Sequence, residues 1–129
     1  MRLLLIFIFS FFINKSIFSQ IDLLRAKNHP IITQKYSNEE LEKLYYEDTL
    51  KFKHIIIYFF ESYNVVNKKN QYTENLSTNY SNEFFDVYPY EIYRKEDEDF
   101  YRHFEKQGFE LTLISKSKMK ELINSYVLK

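Results

Sequence analysis

The first nineteen residues are rich in apolar side chains and differ from the rest of the chain. A positive residue, Arg2, precedes an apolar run over residues 3–13, and small polar residues close the segment at Ser19. This layout is typical of a secretory signal peptide, and the run is shorter than the roughly 17–25 residues that span a bilayer. We therefore predict a signal peptide over residues 1–19. An uncleaved N-terminal membrane anchor is the alternative.

The next apolar residues have helical spacing, but only over a short segment. Residues 21–27 allow two helical turns before Pro30 ends them. Ile31 and Ile32 then have the pattern of a short extended piece. We predict that residues 20–37 form an N-terminal arm.

A helix with a clear start follows this arm. Ser37 and Glu40 have the spacing of a capping box, in which each side chain bonds the backbone amide of the other residue. Apolar residues then recur at i, i+3 and i+4: Leu41, Leu44 and Tyr45. This pattern predicts an amphipathic helix that ends near residue 46.

Three later segments have the features of β-strands. Residues 50–66 contain a β-branched and aromatic run that is apolar on both sides, which predicts a central strand covered on both faces. Residues 84–88 predict a second strand that ends at Pro89. Residues 109–115 alternate most regularly. Their inward residues are Phe109, Leu111 and Leu113.

Two interpretations compete for residues 96–107. In a helix, Phe100 and Phe104 form an i, i+4 apolar pair and Gly108 ends the helix. In a strand, a short turn through residues 106–108 pairs the segment with the strand that follows. We favour the helix.

The whole pattern predicts one α+β domain over residues 38–129. It has a small sheet of three to four mainly antiparallel strands, with two or three helices packed on it. The last helix begins at Ser115 or Ser117, and its apolar face repeats through residues 119–126. A polar loop over residues 67–82 interrupts the domain, and loops longer than about 12–15 residues are usually functional or disordered.

Composition narrows the classes of function. Two of the 18 basic residues lie in the signal segment, so residues 20–129 carry 16 basic and 18 acidic residues, a net charge of about −2. This balance argues against nucleic-acid binding and against a polybasic membrane patch. Cysteine is absent, which excludes disulfides and thiolate metal sites.

Signatures of catalysis are sparse. Phosphate loops and nucleophile elbows need several glycines, and Gly108 is the single glycine. His29, His54 and His103 lack the paired spacing of a zinc site. The acidic run 96–99 lacks the spacing of an EF-hand and has the pattern of a solvated helix start. We predict no cofactor, metal or catalytic residue; a small exported hydrolase that uses carboxylates with a histidine is the alternative.

The tyrosines are the best candidates for a binding surface. Four follow the predicted loop closely: Tyr88, Tyr90, Tyr93 and Tyr101. Tyrosine is amphipathic and stacks on sugar rings or protein partners, although core packing explains the same residues more simply. We expect a non-enzymatic binding or interaction module of a bacterial envelope or the extracellular space, with a protein or glycan partner. An inhibitor or immunity-type protein that acts through residues 67–82 is a further alternative.

Overall fold

The computed structural model describes residues 20–67 and 84–129. Within these ranges the chain forms five α-helices and a three-stranded antiparallel sheet, which confirms the predicted α+β class. The helices outnumber the two or three predicted. The predicted signal segment and, apart from Asn67, the predicted loop 67–82 lie outside the described residues. No helix in the described ranges is long and apolar enough to cross a membrane.

The N-terminal segment packs in the core instead of extending as an arm. Helix α1 spans Ile21–Lys27 and helix α2 spans Pro30–Lys35. Their buried apolar residues are Leu23, Ala26, Ile31 and Ile32. The extended conformation predicted for the two isoleucines is wrong, because His29 caps a helix here. Its Nδ1 accepts the backbone N–H groups of Ile31 and Ile32, both at 3.3 Å.

Helix α3 spans Asn38–Glu47 and begins as predicted. The side chain of Ser37 accepts the amide of Glu40 at 3.1 Å, and the Glu40 carboxylate accepts the amide of Ser37 at 2.8 Å. Both halves of the capping box are therefore present. Leu41 is fully buried, so the start of α3 is fixed both by its cap and by the core.

The predicted central strand over residues 50–66 is wrong for most of its length. Helix α4 spans Thr49–Ile56 and continues into a π-helix, Ile57–Glu61, so only Tyr63–Asn67 forms a strand, β1. Four of the buried residues recur at i, i+3, i+4 and i+7: Phe52, Ile55, Ile56 and Phe59. That spacing places all four on one helical face, where they pack in a cluster with α1, α2 and α3. Asp48 caps the first turn.

The second and third strands form a hairpin. Strand β2 spans Phe100–Phe104 and strand β3 spans Phe109–Leu113, and both β2 and β1 pair antiparallel with β3 in the order β1-β3-β2. The helix favoured for residues 96–107 is therefore wrong, and the strand alternative is confirmed. Gly108 turns the chain with a φ of 75°, a conformation that glycine adopts without steric cost. The predicted inward residues of β3 are buried.

A second cluster covers one face of this sheet. The strand predicted over residues 84–88 is wrong, because this segment runs without strand pairing into a 3-10 helix, Tyr88–Tyr93, with Pro89 in its first turn. The covering residues are Phe85, Val87, Tyr90 and Tyr93. On the other face Asn64 and Tyr101 are exposed, as expected for an antiparallel sheet with one solvated side.

Helix α5, Lys116–Ser125, begins at Ser115, one of the two predicted caps. The acidic run 96–99 does not begin a helix of its own but bonds the start of α5. Asp99 accepts the amide of Ser115 at 3.0 Å and the ammonium group of Lys118 at 2.7 Å, and these bonds hold the pKa of Asp99 below its usual value. Carboxylates are favoured there because a helix start carries partial positive charge.

A buried carboxylate joins the two ends of the described chain. Asp22 is fully buried in α1 and accepts the hydroxyl of Tyr126 at 2.9 Å and the amide of Lys129 at 2.8 Å. Arg25 lies 3.2 Å from the same carboxylate. A buried charge needs such partners, so these bonds fix the end of the chain against α1.

A buried arginine joins the helical and sheet parts of the fold. Arg94, 6% exposed, donates to the backbone carbonyls of Ser62 at 3.1 Å and Ile114 at 2.7 Å. Other donors of the guanidinium meet the Glu91 carboxylate at 2.8 and 2.6 Å and the Ser62 hydroxyl oxygen at 3.3 Å. The guanidinium thus ties the end of the 3-10 helix to the ends of the π-helix and β3.

Candidate ligand-binding cleft

A cleft of about 250 Å³ opens where the helical layer meets the 3-10 helix. Tyr36, Tyr58 and Tyr88 line it, together with Lys51 and His54. These residues come from the end of α2, from α4, from the π-helix and from the 3-10 helix. The cleft therefore combines aromatic rings with two side chains that can carry positive charge.

Four lining residues owe their position to the helical conformation of residues 49–61. Lys51, His54, Ile55 and Tyr58 recur at i, i+3, i+4 and i+7, so they form one stripe along α4 and the π-helix. In a strand, odd and even positions would have pointed to opposite faces. The π-helix supplies Tyr58 and Phe59, and π-helical turns occur frequently at functional sites.

The Tyr58 hydroxyl lies beside the ion pair of Glu91 and the buried Arg94. The Glu91 carboxylate, held by Arg94, lies near the Tyr58 hydroxyl. Burial and this negative charge raise the pKa of Tyr58 well above its usual value. Tyr58 therefore stays protonated, so this wall of the cleft is neutral.

Tyr88 forms the exposed rim of the cleft. Its side chain is 42% exposed, and the ring lies 5.2 Å from that of Tyr58, measured between centroids. The ammonium nitrogen of Lys35 lies 3.7 Å from the centre of the Tyr88 ring, a cation–π contact. Burial, followed by the nearby Tyr36, Asp86 and Glu91 side chains, raises the pKa of Tyr88.

The four tyrosines predicted from sequence do not share one surface. Tyr90 packs among the rings that cover the sheet, and Tyr93 stacks on Phe100 with centroids 5.1 Å apart. Tyr101 follows Phe100 in β2, so its side chain points to the opposite face, where it is 61% exposed. Of the four, Tyr88 is the one that lines the cleft.

The three histidines occupy separate sites. His29 is a buried helix cap, and His103 lies on the exposed sheet face with its Nδ1 3.8 Å from an oxygen of Glu110. His54 lines the cleft, but it has no hydrogen bond to a carboxylate of the described residues. The hydrolase alternative requires a histidine and an acid within hydrogen-bonding reach in a cleft, and the described residues that line the cleft with His54 include no carboxylate.

The acidic residues do not assemble a metal site within the described ranges. There, no three His, Asp or Glu side chains converge as a metal ion requires. In the run 96–99, Glu96 pairs with Lys116 at 2.9 Å and Asp97 accepts the Ser117 hydroxyl at 2.6 Å. These two carboxylates therefore bind side chains in the first turn of α5.

Sequence reasoning missed most of the cleft. The spacing of Lys51, His54 and Tyr58 was a visible signal, but it becomes one only when the segment is read as a helix. Tyr36 gave no such signal, because only the tertiary fold brings it beside Tyr88.

Comparison of the chain with protein-family models, curated proteins and solved structures finds no match.

Proposed function

We propose that this protein is a small non-enzymatic binding module, exported to the cell envelope or the extracellular space, whose cleft binds a sugar ring of a glycan. The proposed location depends on the apolar segment 1–19. The proposed binding depends on one observation, the convergence of Tyr36, Tyr58 and Tyr88 around a single cleft.

The chemistry of the cleft suits a sugar. A sugar ring has an apolar C–H face and a rim of hydroxyl groups, and tyrosine offers an aromatic face together with a hydroxyl. Pockets that enclose drug-sized ligands measure roughly 300–1,000 Å³. At about 250 Å³ the cleft fits one ring of a larger ligand, with the rest of the glycan outside.

The absence of an acid beside His54 in the described residues favours binding over hydrolysis. General acid–base catalysis needs a proton donor and a proton acceptor placed on the reacting bond. Glu91, the carboxylate beside Tyr58, is already bonded to Arg94 through both oxygens. This arrangement supports ligand retention without bond cleavage.

Binding of purified protein to cell-envelope and extracellular polysaccharides should depend on the cleft tyrosines. We expect Tyr88→Ala to weaken binding about tenfold or more, because truncating an aromatic side chain that stacks on the ligand commonly costs over 1 kcal/mol. Tyr36→Ala should act in the same direction. Isothermal titration with purified oligosaccharides measures both effects.

Tyr101→Ala is the matched control. It removes a tyrosine that is even more exposed than Tyr88, but on the outer face of the sheet. Its affinity should equal that of the unmodified protein. Unchanged affinity in Tyr88→Ala, or an equal loss in Tyr101→Ala, would contradict the proposed site. Tyr90 and Tyr93 are unsuitable for this test because they pack against the sheet.

A further inference from the structure

The titratable residues that line the cleft, apart from the tyrosines, are basic. Lys51 and His54 line it, and no acidic residue of the described chain does. Lys35 adds a third basic group at the rim through its contact with the Tyr88 ring. Two or three donors of this kind at one small cleft favour a ligand with negative charge.

The neighbouring carboxylates are engaged elsewhere. Glu91 forms a two-point contact with Arg94, Asp86 accepts the amide of Tyr88 at 3.1 Å, and Asp48 accepts the amide of Lys51 at 3.2 Å. None of them forms an ion pair with Lys51 or with His54 within the described residues. No acid of residues 20–67 and 84–129 pairs with the ammonium group of Lys51, so with respect to these residues its three donors are open to solvent or ligand.

Lys51 and His54 are also placed to act together. They are three residues apart on α4, so their side chains project from the same helical face. The tyrosine walls remain neutral, since Tyr58 and Tyr88 both hold their protons more tightly than free tyrosine. The walls therefore do not repel an anion.

We infer that the cleft binds the acidic ring of a glycan, a sugar that bears a carboxylate, and that Lys51 and His54 contact this carboxylate while the tyrosines stack on the ring. This inference rests on the glycan binding proposed above. A carboxylate suits the site because it is a single negative charge that two donors from one helical face can meet.

Paired ligands test the inference on the full chain. Each pair consists of an acidic oligosaccharide, such as a trimer of galacturonic acid, and the same oligosaccharide after reduction of its carboxyl groups. We expect the acidic member to bind at least about fivefold more tightly at low salt, with the difference shrinking in high salt. Isothermal titration gives the affinities.

Variants assign the preference to the cleft. Lys51→Met keeps most of the side-chain stem and removes the charge, so it should remove most of the difference in affinity between the acidic and reduced ligands without weakening the reduced one. His54→Gln should lower the preference in part. Lys53→Met is the matched control, since it removes a lysine of the same helix that does not line the cleft.

The outcomes separate this inference from the proposed function. If acidic and reduced ligands bind equally and both depend on Tyr88, glycan binding stands and the acidic preference is overturned. If Lys51→Met and Lys53→Met reduce the preference equally, the charge acts at long range, and the proposed contact is overturned. If no pair binds, or if Tyr88→Ala changes nothing, the proposed function fails and the inference fails with it.

Discussion

Replacing Arg94 with methionine is expected to destabilise the fold by roughly 3 kcal/mol or more, a large share of the stability of a domain this size. Arg94 is 6% exposed and bonds two backbone carbonyls and one carboxylate. Methionine fills similar space but donates nothing. The Ile114 carbonyl and the Glu91 carboxylate would then lose this partner, while the Ser62 carbonyl would keep the amide of Ile114. Buried polar groups left without a partner are costly. Urea unfolding followed by circular dichroism measures the loss.

Lys95→Met is the control for this prediction. It removes the charge next in sequence, where Lys95 forms an exposed ion pair with Glu98 at 3.5 Å, and such pairs contribute about 0–1 kcal/mol. Arg94→Lys should fall between the two variants, because lysine keeps the charge but cannot bond Glu91 and two carbonyls at once. Equal stability of Arg94→Met and Lys95→Met would show that Arg94 does not join the two parts of the fold.

The second large effect is expected at alkaline pH. Burial raises the pKa of Tyr58 and of Tyr63, and burial together with the Asp22 carboxylate raises that of Tyr126 to about 12. In the unfolded chain these groups ionise near pH 10, so the unfolded state loses protons first. Stability that is fully present below about pH 10 is therefore lost as the pH rises towards 12. Each tyrosine contributes at most about 1.4 kcal/mol per pKa unit, and the partly exposed Tyr126 contributes less.

Urea unfolding at a series of alkaline pH values measures this loss. Tyr126→Phe should lower stability at neutral pH, because the bond to Asp22 is gone, but it should flatten the decline above about pH 10. The difference between the two pH curves isolates Tyr126 from the lysines that titrate in the same range. Parallel curves for the two proteins would contradict the assigned role of the Tyr126 hydroxyl.

Local chemistry was enough to predict some elements. The capping box at Ser37, the cap at Ser115 and the alternation of strand β3 each depend on residues close in sequence. Such signals survive folding because tertiary contacts reinforce them. Leu41 and Leu111, for example, lie on the faces that the patterns assigned to the interior.

Segments with two compatible periods were predicted wrongly. Residues 55–60 are β-branched and aromatic, which suits a strand, but Phe52 and Ile56 also fit a helical face. Residues 96–107 presented the reverse case, because Phe100 and Phe104 lie on one side of either element. Tertiary contacts determined both outcomes. The first segment packs as a helix in the cluster with α1, α2 and α3, and the second pairs as a strand with β3.

The cleft could be predicted from sequence only in part. Tyr88 was among the candidate binding residues, and His54 was considered only for the hydrolase alternative, but Tyr36 and Tyr58 were not candidates. Tyr36 is distant in sequence from Tyr88, and Tyr58 was assigned to a strand. A site assembled from several helical segments becomes visible only when those segments are placed in space. The spacing of the tyrosines did not separate Tyr88 from the core residues Tyr90 and Tyr93.

The most direct test of the account locates the bound ligand. NMR spectra of labelled protein, titrated with the tightest-binding oligosaccharide of the paired set, report which residues it contacts. We predict that the signals of Tyr36, His54 and Tyr58 shift in proportion to saturation, while those of Tyr101 stay unchanged. Shifts confined to the exposed face of the sheet around Tyr101, with none at the cleft, would contradict the central claim.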